Sequence, residues 1–311
     1  MAVMGTKHRQ IRIEEYFLLE EQRMASLGRW STRKNYGSTR RSFSAYLQGR
    51  KLWVSNLDAD EIRQYNEFLG SRHVSRNSKS FYNRTLRALY NRAVRDGYAK
   101  ANATLFADVY TGIDRTRKKA LPIETIRKVV SLDLSSENEL SLSRDIFVFS
   151  LFAQGMCFVD LAYLRAKNIR GDELCYSRKK TGQKIFVRIQ PCMIRILERC
   201  RSLAWGDYLF PILHTSHPEE AYREYTYYLN RYNLHLKEIG RRAGCPFPLN
   251  SYAARHSWAS LARKTGAPVA VISQGMGHTS ERTTRIYLSD LDNSVLDEAC
   301  QRVVEVVFSK K

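Results

Sequence analysis

The chain has 311 residues with a hydrophobic fraction of 43%, enough to build two cores of ordinary size, and a formal charge of +20 with an isoelectric point near 9.8. No stretch approaches the roughly 20 uninterrupted apolar residues that a membrane helix needs. The start, MAVMGTKHRQIRIEEYFLLEEQ, lacks the apolar core and cleavage site of a secretory signal, so a cytoplasmic, reducing compartment is expected. Residues 1–110 carry 20 basic and 10 acidic side chains and the remainder 31 and 21, so the excess of +10 is the same in both parts. A basic tail would concentrate the excess at one end. An even split suits a chain that grips a polyanion from two sides, and double-stranded DNA is the expected partner. The plain alternative is a soluble basic protein with no such partner.

In chain order, the first 110 residues read as helices and short turns. Thr32 to Gln48 is one helix, opening on Ser31 or Thr32 as a cap. Leu57-Asp58 precedes a second, Ala59 to Leu69, with Ile62, Tyr65, Phe68 and Leu69 at helical spacing. A third runs from Arg76 to Arg95 and stops at Gly97. Its Tyr82, Leu86, Leu89 and Ala93 form one face, and Arg76, Lys79, Asn83 and Arg87 form a polar row that can lie along phosphates or simply face water. Residues Asp108 to Pro122 concentrate Gly, Pro and basic side chains between periodic regions, as an interdomain linker does, with the linker proper at 111–122. Its Arg115, Arg117, Lys118 and Lys119 suit a DNA backbone. Helices follow at Ile123 to Leu132 and Arg144 to Leu164, the second largely buried. In Glu173 to Arg188, β-formers flank Lys180-Thr181-Gly182, which predicts a hairpin with a short turn. Helices resume near Met193 and continue at Glu219 to Ala243, Tyr252 to Lys264 and Val269 to Met276. Last, Leu296, Ala299, Cys300, Val303 and Val307 recur at helical spacing after Asn293-Ser294, predicting an amphipathic final helix. The fold class is mainly α with a small β-hairpin or sheet: a helical domain over 1–110, the linker, and a mixed α+β domain over 123–311.

The six cysteines form no CxxC or Cys/His cluster, so neither a metal site nor a disulfide framework is suggested, and most read as small buried hydrophobes. The chemistry-bearing stretch is SYAARHSWASLARKTGAPVAVISQGMGHTSERTTRIYL, residues 251–288. It sets Arg255 at a helix start, Gly277-His278 nine residues before Tyr287, and a Thr283-Thr284 pair between. Singly, a helix arginine is usually solvated, a Gly-His usually a turn and a tyrosine usually packing.

Together, at this spacing, they resemble the tyrosine recombinase (phage integrase) family, whose C-terminal signature runs HxxR, then GH, then a nucleophilic tyrosine. The resemblance covers essentially the whole chain and implies a helical core-binding, SAM-like DNA-binding domain followed by a catalytic domain. Gln154 to Leu164, QGMCFVDLAYL, looks like the family's TGLRxSEL helix, and Lys180 in RKKTG looks like its turn lysine. The resemblance implies that Tyr287 attacks a backbone phosphate to form a 3′-phosphotyrosyl link, while Arg255 binds the phosphate, His278 binds the same phosphate or helps position Tyr287, and Lys180 protonates the leaving 5′ oxygen. Arginine suits this work because its planar fork binds two oxygens and never loses its charge. No metal, nucleotide or other cofactor is required.

Two positions depart from the pattern. Aligned on Gly155 and Asp160, the first catalytic arginine falls on Cys157, and a thiol supplies no charged donors. Arg178 and Arg144 are the candidate replacements. Arg178 is preferred because alternate residues on a strand share a face with Lys180. The histidine of HxxR is Tyr252, able to donate one hydrogen bond but not to carry positive charge. His256, next to Arg255, points about 100° away on a helix and is no replacement.

The expected function is site-specific DNA recombination: integration, excision or inversion. The resemblance further implies paired DNA sites and a tetramer on DNA, monomeric when free, with the tail packing on a neighbouring protomer. An accessory DNA-bending protein is a further expected partner. The absence of a long extra N-terminal domain inclines the reading to an invertase or resolvase-like role. The competing readings are a type IB topoisomerase and a DNA-binding protein that has lost catalysis through Cys157 and Tyr252.

Overall fold

A computed structural model of the chain describes residues 9–114, 120–288 and Gln301, the side chains of Ile286 and Tyr287 excepted. The predicted final helix and the basic residues Arg115, Arg117, Lys118 and Lys119 lie outside the described residues. The chain divides into two compact units, Met1–Thr116 and Arg117–Lys311.

The first unit holds α1 (Ile13–Ser26), α2 (Trp30–Leu47), α3 (Ala59–Ser71) and α4 (Arg76–Arg95). α3 and α4 start where short polar side chains satisfy the first free amides: Asp58 accepts from Glu61 N and Ser75 from Ser78 N. α2 begins at Trp30, two residues before the sequence suggests, and neither Ser31 nor Thr32 caps it. The helices enclose Tyr16, Phe17, Phe43, Tyr65, Leu86 and Leu89, all fully buried, each contributing about 1.5–3 kcal/mol of apolar transfer. The first half of the expected linker is fastened to α4 rather than free. Asp114 N donates to Asn77 Oδ1, Ser80 Oγ donates to Gly112 O, and Arg76 lies 4.0 Å over the Tyr110 ring.

The second unit holds α5 (Ile123–Ser131), α6 (Asn138–Phe152), α7 (Phe158–Ala162), a three-stranded sheet, α8 (Pro191–Arg201), α9 (Pro218–Arg242), α10 (Ser251–Lys264), α11 (Val269–Met276) and α12 (Glu281–Leu288). The sheet is antiparallel, β1 (Ile169–Arg170), β2 (Glu173–Ser177) and β3 (Lys184–Arg188), with Cys175 opposite Phe186 at the centre of the hairpin. The expected single helix over 144–164 is two, because Gln154 and Gly155 both take left-handed φ, +58° and +68°. α6 is buried nearly all round and forms the floor of the core, against α5, α8, α9 and α10. Of the five described cysteines only Cys200 is buried, so the expectation that most are core residues fails; the other four are half-exposed. Among the described residues, no helix is long and apolar enough to cross a membrane.

Candidate active site

Arg255, early in α10 and 4% exposed, organises the site. Its helix is capped by Asn250, whose side chain accepts from Tyr252 N. Arg255 Nη1 donates to Gly155 O at 3.0 Å, and Nη2 donates to Met276 O and lies 3.2 Å from His278 Nε2. The break between α6 and α7 makes this possible. A Cβ on Gly155 would stand 2.7 Å from Arg255 Cα, so only glycine allows both the left-handed turn and the approach.

His278 follows Gly277, the left-handed C-cap of α11. A guanidinium has donors only, so His278 Nε2 must accept from Arg255. Nδ1 therefore carries the proton and donates to Thr284 Oγ1 at 2.8 Å, where Thr284 is a fully buried residue of α12. Burial, then the charges of Arg255, Arg178 and Lys180, push the His278 pKa down to about 4, so the imidazole is neutral near pH 7. Tyr287 belongs to α12, three residues past Thr284; its side chain lies outside the described residues.

Arg178 is not on the strand. β2 ends at Ser177, and Arg178 closes the turn, its N–H donating to Gln183 O and its carbonyl accepting from Gly182 N. It is buried whereas Lys180, at the turn's tip, is exposed, so the two do not share a face as strand alternation predicts. Arg178 Nη1 donates to Gly277 O at 2.7 Å and Nη2 to Cys157 Sγ at 3.6 Å. Its Nε lies 3.8 Å from Asp160 Oδ2. Asp160 also accepts from Lys179 N, at 2.8 Å. Burial raises the Asp160 pKa, opposed by that hydrogen bond and by the nearby cations. Thus two buried guanidinium groups share the one buried carboxylate that the described residues place among them. Buried charge of one sign in excess is costly unless an anion arrives, which is the electrostatic signature of a phosphate site.

Of the remaining expected residues, Tyr252 borders the cluster and Arg144 lies outside it. Tyr252 is 58% exposed and lines a cavity of about 60 Å³ with Cys157, Ser251 and Arg255. Arg144 is spent elsewhere: its guanidinium donates to Leu132 O, Ser141 Oγ and Asp145 Oδ1, none of them in the cluster. Of the polar row on α4, Asn83 is a correction. It is fully buried, exchanges two amide hydrogen bonds with Asn66 and donates to Tyr110 O, so it cannot reach a phosphate. Arg76 and Arg87 are exposed and Lys79 is half-exposed. Sequence reasoning gives neither Thr284 nor Gly155 a role in the site. The left-handed demand at Gly155 was the available signal for it; for Thr284 the signal was the Thr283-Thr284 pair between His278 and Tyr287, which does not say which threonine turns inward.

The phage integrase SAM-like domain model matches residues 14–109 and the phage integrase family model matches residues 126–294. The tyrosine recombinase XerD of Rickettsia bellii is 23% identical over 271 residues, covering 79% of this chain and 83% of its own. A lambda integrase dimer bound to a COC′ core site shares the fold with a TM-score of 0.65 at 16% identity, covering 90% of this chain and 96% of that one. A lambda integrase tetramer bound to a Holliday junction gives 0.63 at 15%, covering 90% and 78%. The catalytic model spans more than half of the sequence, and the chain belongs to the phage integrase family, the tyrosine-type site-specific DNA recombinases.

Proposed function

We propose that this recombinase cleaves and rejoins DNA through Tyr287, with Arg178 supplying the phosphate contact that Cys157 cannot. The observation that carries this reading is the position of the Arg178 guanidinium, against Cys157 Sγ and one carbonyl away from the Arg255 anchor: Arg178 holds Gly277 O, Arg255 holds Met276 O. Each role follows from chemistry. As the Tyr287 oxygen bonds to phosphorus, charge grows on the nonbridging oxygens, and Arg255 and Arg178 are fixed donors for them. Arg255 Nη2 shifts from His278 Nε2 toward the phosphate, while Nδ1–H stays tied to Thr284. The neutral His278 can then accept the phenol proton. The P–O5′ bond breaks and Lys180 delivers a proton to O5′, leaving a 3′-phosphotyrosyl link that a second 5′ hydroxyl can reverse. Tyr252 adds at most one neutral hydrogen bond.

We assign residues 1–110 to core binding, 111–122 to the linker and 123–311 to catalysis. Arg76, Lys79, Arg87 and linker residues Arg115, Arg117, Lys118 and Lys119 serve as backbone contacts. A tetramer on paired sites is supported by the fold shared with lambda integrase, seen as a tetramer on a Holliday junction. Neither relaxation without partner exchange nor silent DNA binding is favoured by family membership. The test is direct: incubate the protein with fragmented genomic DNA of its source, denature, and recover covalent adducts. Adducts on a discrete site that vanish with Tyr287→Phe support the reading, and exchange between two such sites completes it. No adduct on any fragment would overturn it.

A further inference from the structure

The turn between β2 and β3 carries two adjacent lysines of identical chemistry, Lys179 and Lys180, and the sequence alone offers no physical reason to choose between them. Their surroundings differ. The Lys179 N–H is held by Asp160, and its ammonium lies 3.7 Å from the centroid of the Tyr163 ring, just past the end of α7. Both side chains are exposed, but the charge of Lys180, at the tip of the turn, acts on His278 together with those of Arg255 and Arg178. The charges that act on Lys179 are those of Asp160, the carboxylate between the two arginines, and of Arg165.

We propose that Tyr163 is a positioning residue for DNA cleavage: its ring captures the Lys179 ammonium by a cation–π contact and thereby fixes the turn so that Lys180 meets the phosphate. This rests on the recombinase reading above. Successive residues of the turn are then pinned in different directions, Arg178 to Cys157 and Gly277, Lys179 to Asp160 and Tyr163, leaving Lys180 with the proton-transfer step. One property of Lys179 favours it as the acid instead. Burial lowers its pKa, and an acid whose pKa nears the working pH transfers protons more readily. Placement decides against it, because an ammonium seated on Tyr163 faces an aromatic ring rather than the two arginines that mark the phosphate. A lysine with no such seat would have more freedom to leave the turn, and a cation–π contact at 3.7 Å restricts it.

The balance of the step supplies a test. In cleavage, Tyr287 Oη bonds to phosphorus, the phenol proton leaves, P–O5′ breaks, and a proton from the general acid ends on O5′. If O5′ is replaced by a bridging sulfur, the thiolate departs without a proton and the general acid becomes dispensable. The substrates are nicked duplexes built on the site recovered above, one with the natural 5′ oxygen and one with a 5′-bridging phosphorothiolate, cleaved by the full chain. Tyr163→Leu and Lys179→Met are expected to slow cleavage of the oxygen duplex roughly ten-fold while sparing the sulfur duplex. Tyr163→Phe, which keeps the ring face, should retain the wild-type rate, and Lys180→Met should lose oxygen cleavage and be rescued by sulfur. Equal losses on both duplexes for Tyr163→Leu would reduce its role to folding and overturn the proposal, as would a wild-type rate. Rescue by sulfur confined to the Lys179 variant would make Lys179 the acid and overturn the proposal as well. If the wild type cleaves neither duplex, the recombinase reading itself fails, and this inference with it.

Discussion

Arg178 Nη2 lies 3.6 Å from Cys157 Sγ, so a guanidinium from the β2–β3 turn stands beside the thiol that occupies the place of the family's first arginine. On the function proposed above, this guanidinium supplies the charge that Cys157 lacks, from a different backbone position. This follows from a turn whose first residue faces inward: Arg178 closes the hairpin through Gln183 and Gly182, and its side chain runs to Gly277.

Arg144→Ala should leave the cleavage rate within about two-fold of wild type while lowering stability. Its guanidinium is largely buried and holds Leu132 O, Ser141 Oγ and Asp145. Deleting it removes the donor to part-buried Leu132 O and one of the two arginines paired with buried Asp145, at about 1–3 kcal/mol. Urea denaturation reads the loss and adduct formation the retained activity.

His278 should titrate near 4 by NMR, well below the ordinary histidine value, because burial and three cations disfavour the imidazolium. The sign for stability follows. Between about 4 and 6.5 the unfolded chain binds a proton that the folded chain does not, so this residue's contribution is complete above 6.5 and is lost as the pH falls toward 4. His278→Gln should flatten that part of the stability profile. A midpoint above 6 would contradict the placement of the three cations.

Gly155→Ala should cost of order 1–3 kcal/mol through its left-handed φ, and more through the 2.7 Å approach to Arg255 Cα. Relief of the clash must displace α10, and Arg255 with it. Cleavage should therefore fall by more than the loss of folded protein, measured against the unfolding curve at the assay temperature.

Asn83→Ala should destabilise the first unit by about 1–3 kcal/mol, since it removes the donor to Asn66 Oδ1 and Tyr110 O from the packed side of α4. It should leave the salt dependence of DNA binding by the folded fraction unchanged. Arg87→Ala should do the reverse, lowering the slope of log affinity against log salt by about 1 with stability unaltered. An altered slope for Asn83→Ala would restore it to the phosphate row.

The contrast between Asn83 and Arg87 shows where the sequence was legible. Spacing located α4 to the residue, and Lys180-Thr181-Gly182 located the hairpin, because helical periodicity and turn chemistry are local. Spacing could not tell that Asn83 lies on the buried side, since a polar side chain enters a core when a partner from another helix, here Asn66, satisfies it. The break after α6 escapes the pattern because apolar residues run through it, although Gly155 marks the place. β1, two residues long, is made by pairing with β2 and has no pattern of its own. Within the candidate site, the spacing in residues 251–288 singled out Arg255 and His278, which the structure brings to 3.2 Å of each other, and turn chemistry singled out Lys180. The Arg178–Cys157 and His278–Thr284 contacts join different elements, and no local rule writes them into the sequence.

The replacement of the missing arginine by Arg178 is tested most directly by the rate of covalent adduct formation on the nicked cognate duplex, for Arg178→Ala and for Arg178→Ala combined with Cys157→Arg. Removing a preorganised phosphate donor should slow the single variant roughly 10²–10³-fold, and returning an arginine at position 157 should recover much of that loss. Cleavage by Arg178→Ala at the wild-type rate would contradict the claim that this guanidinium does the work of the missing arginine.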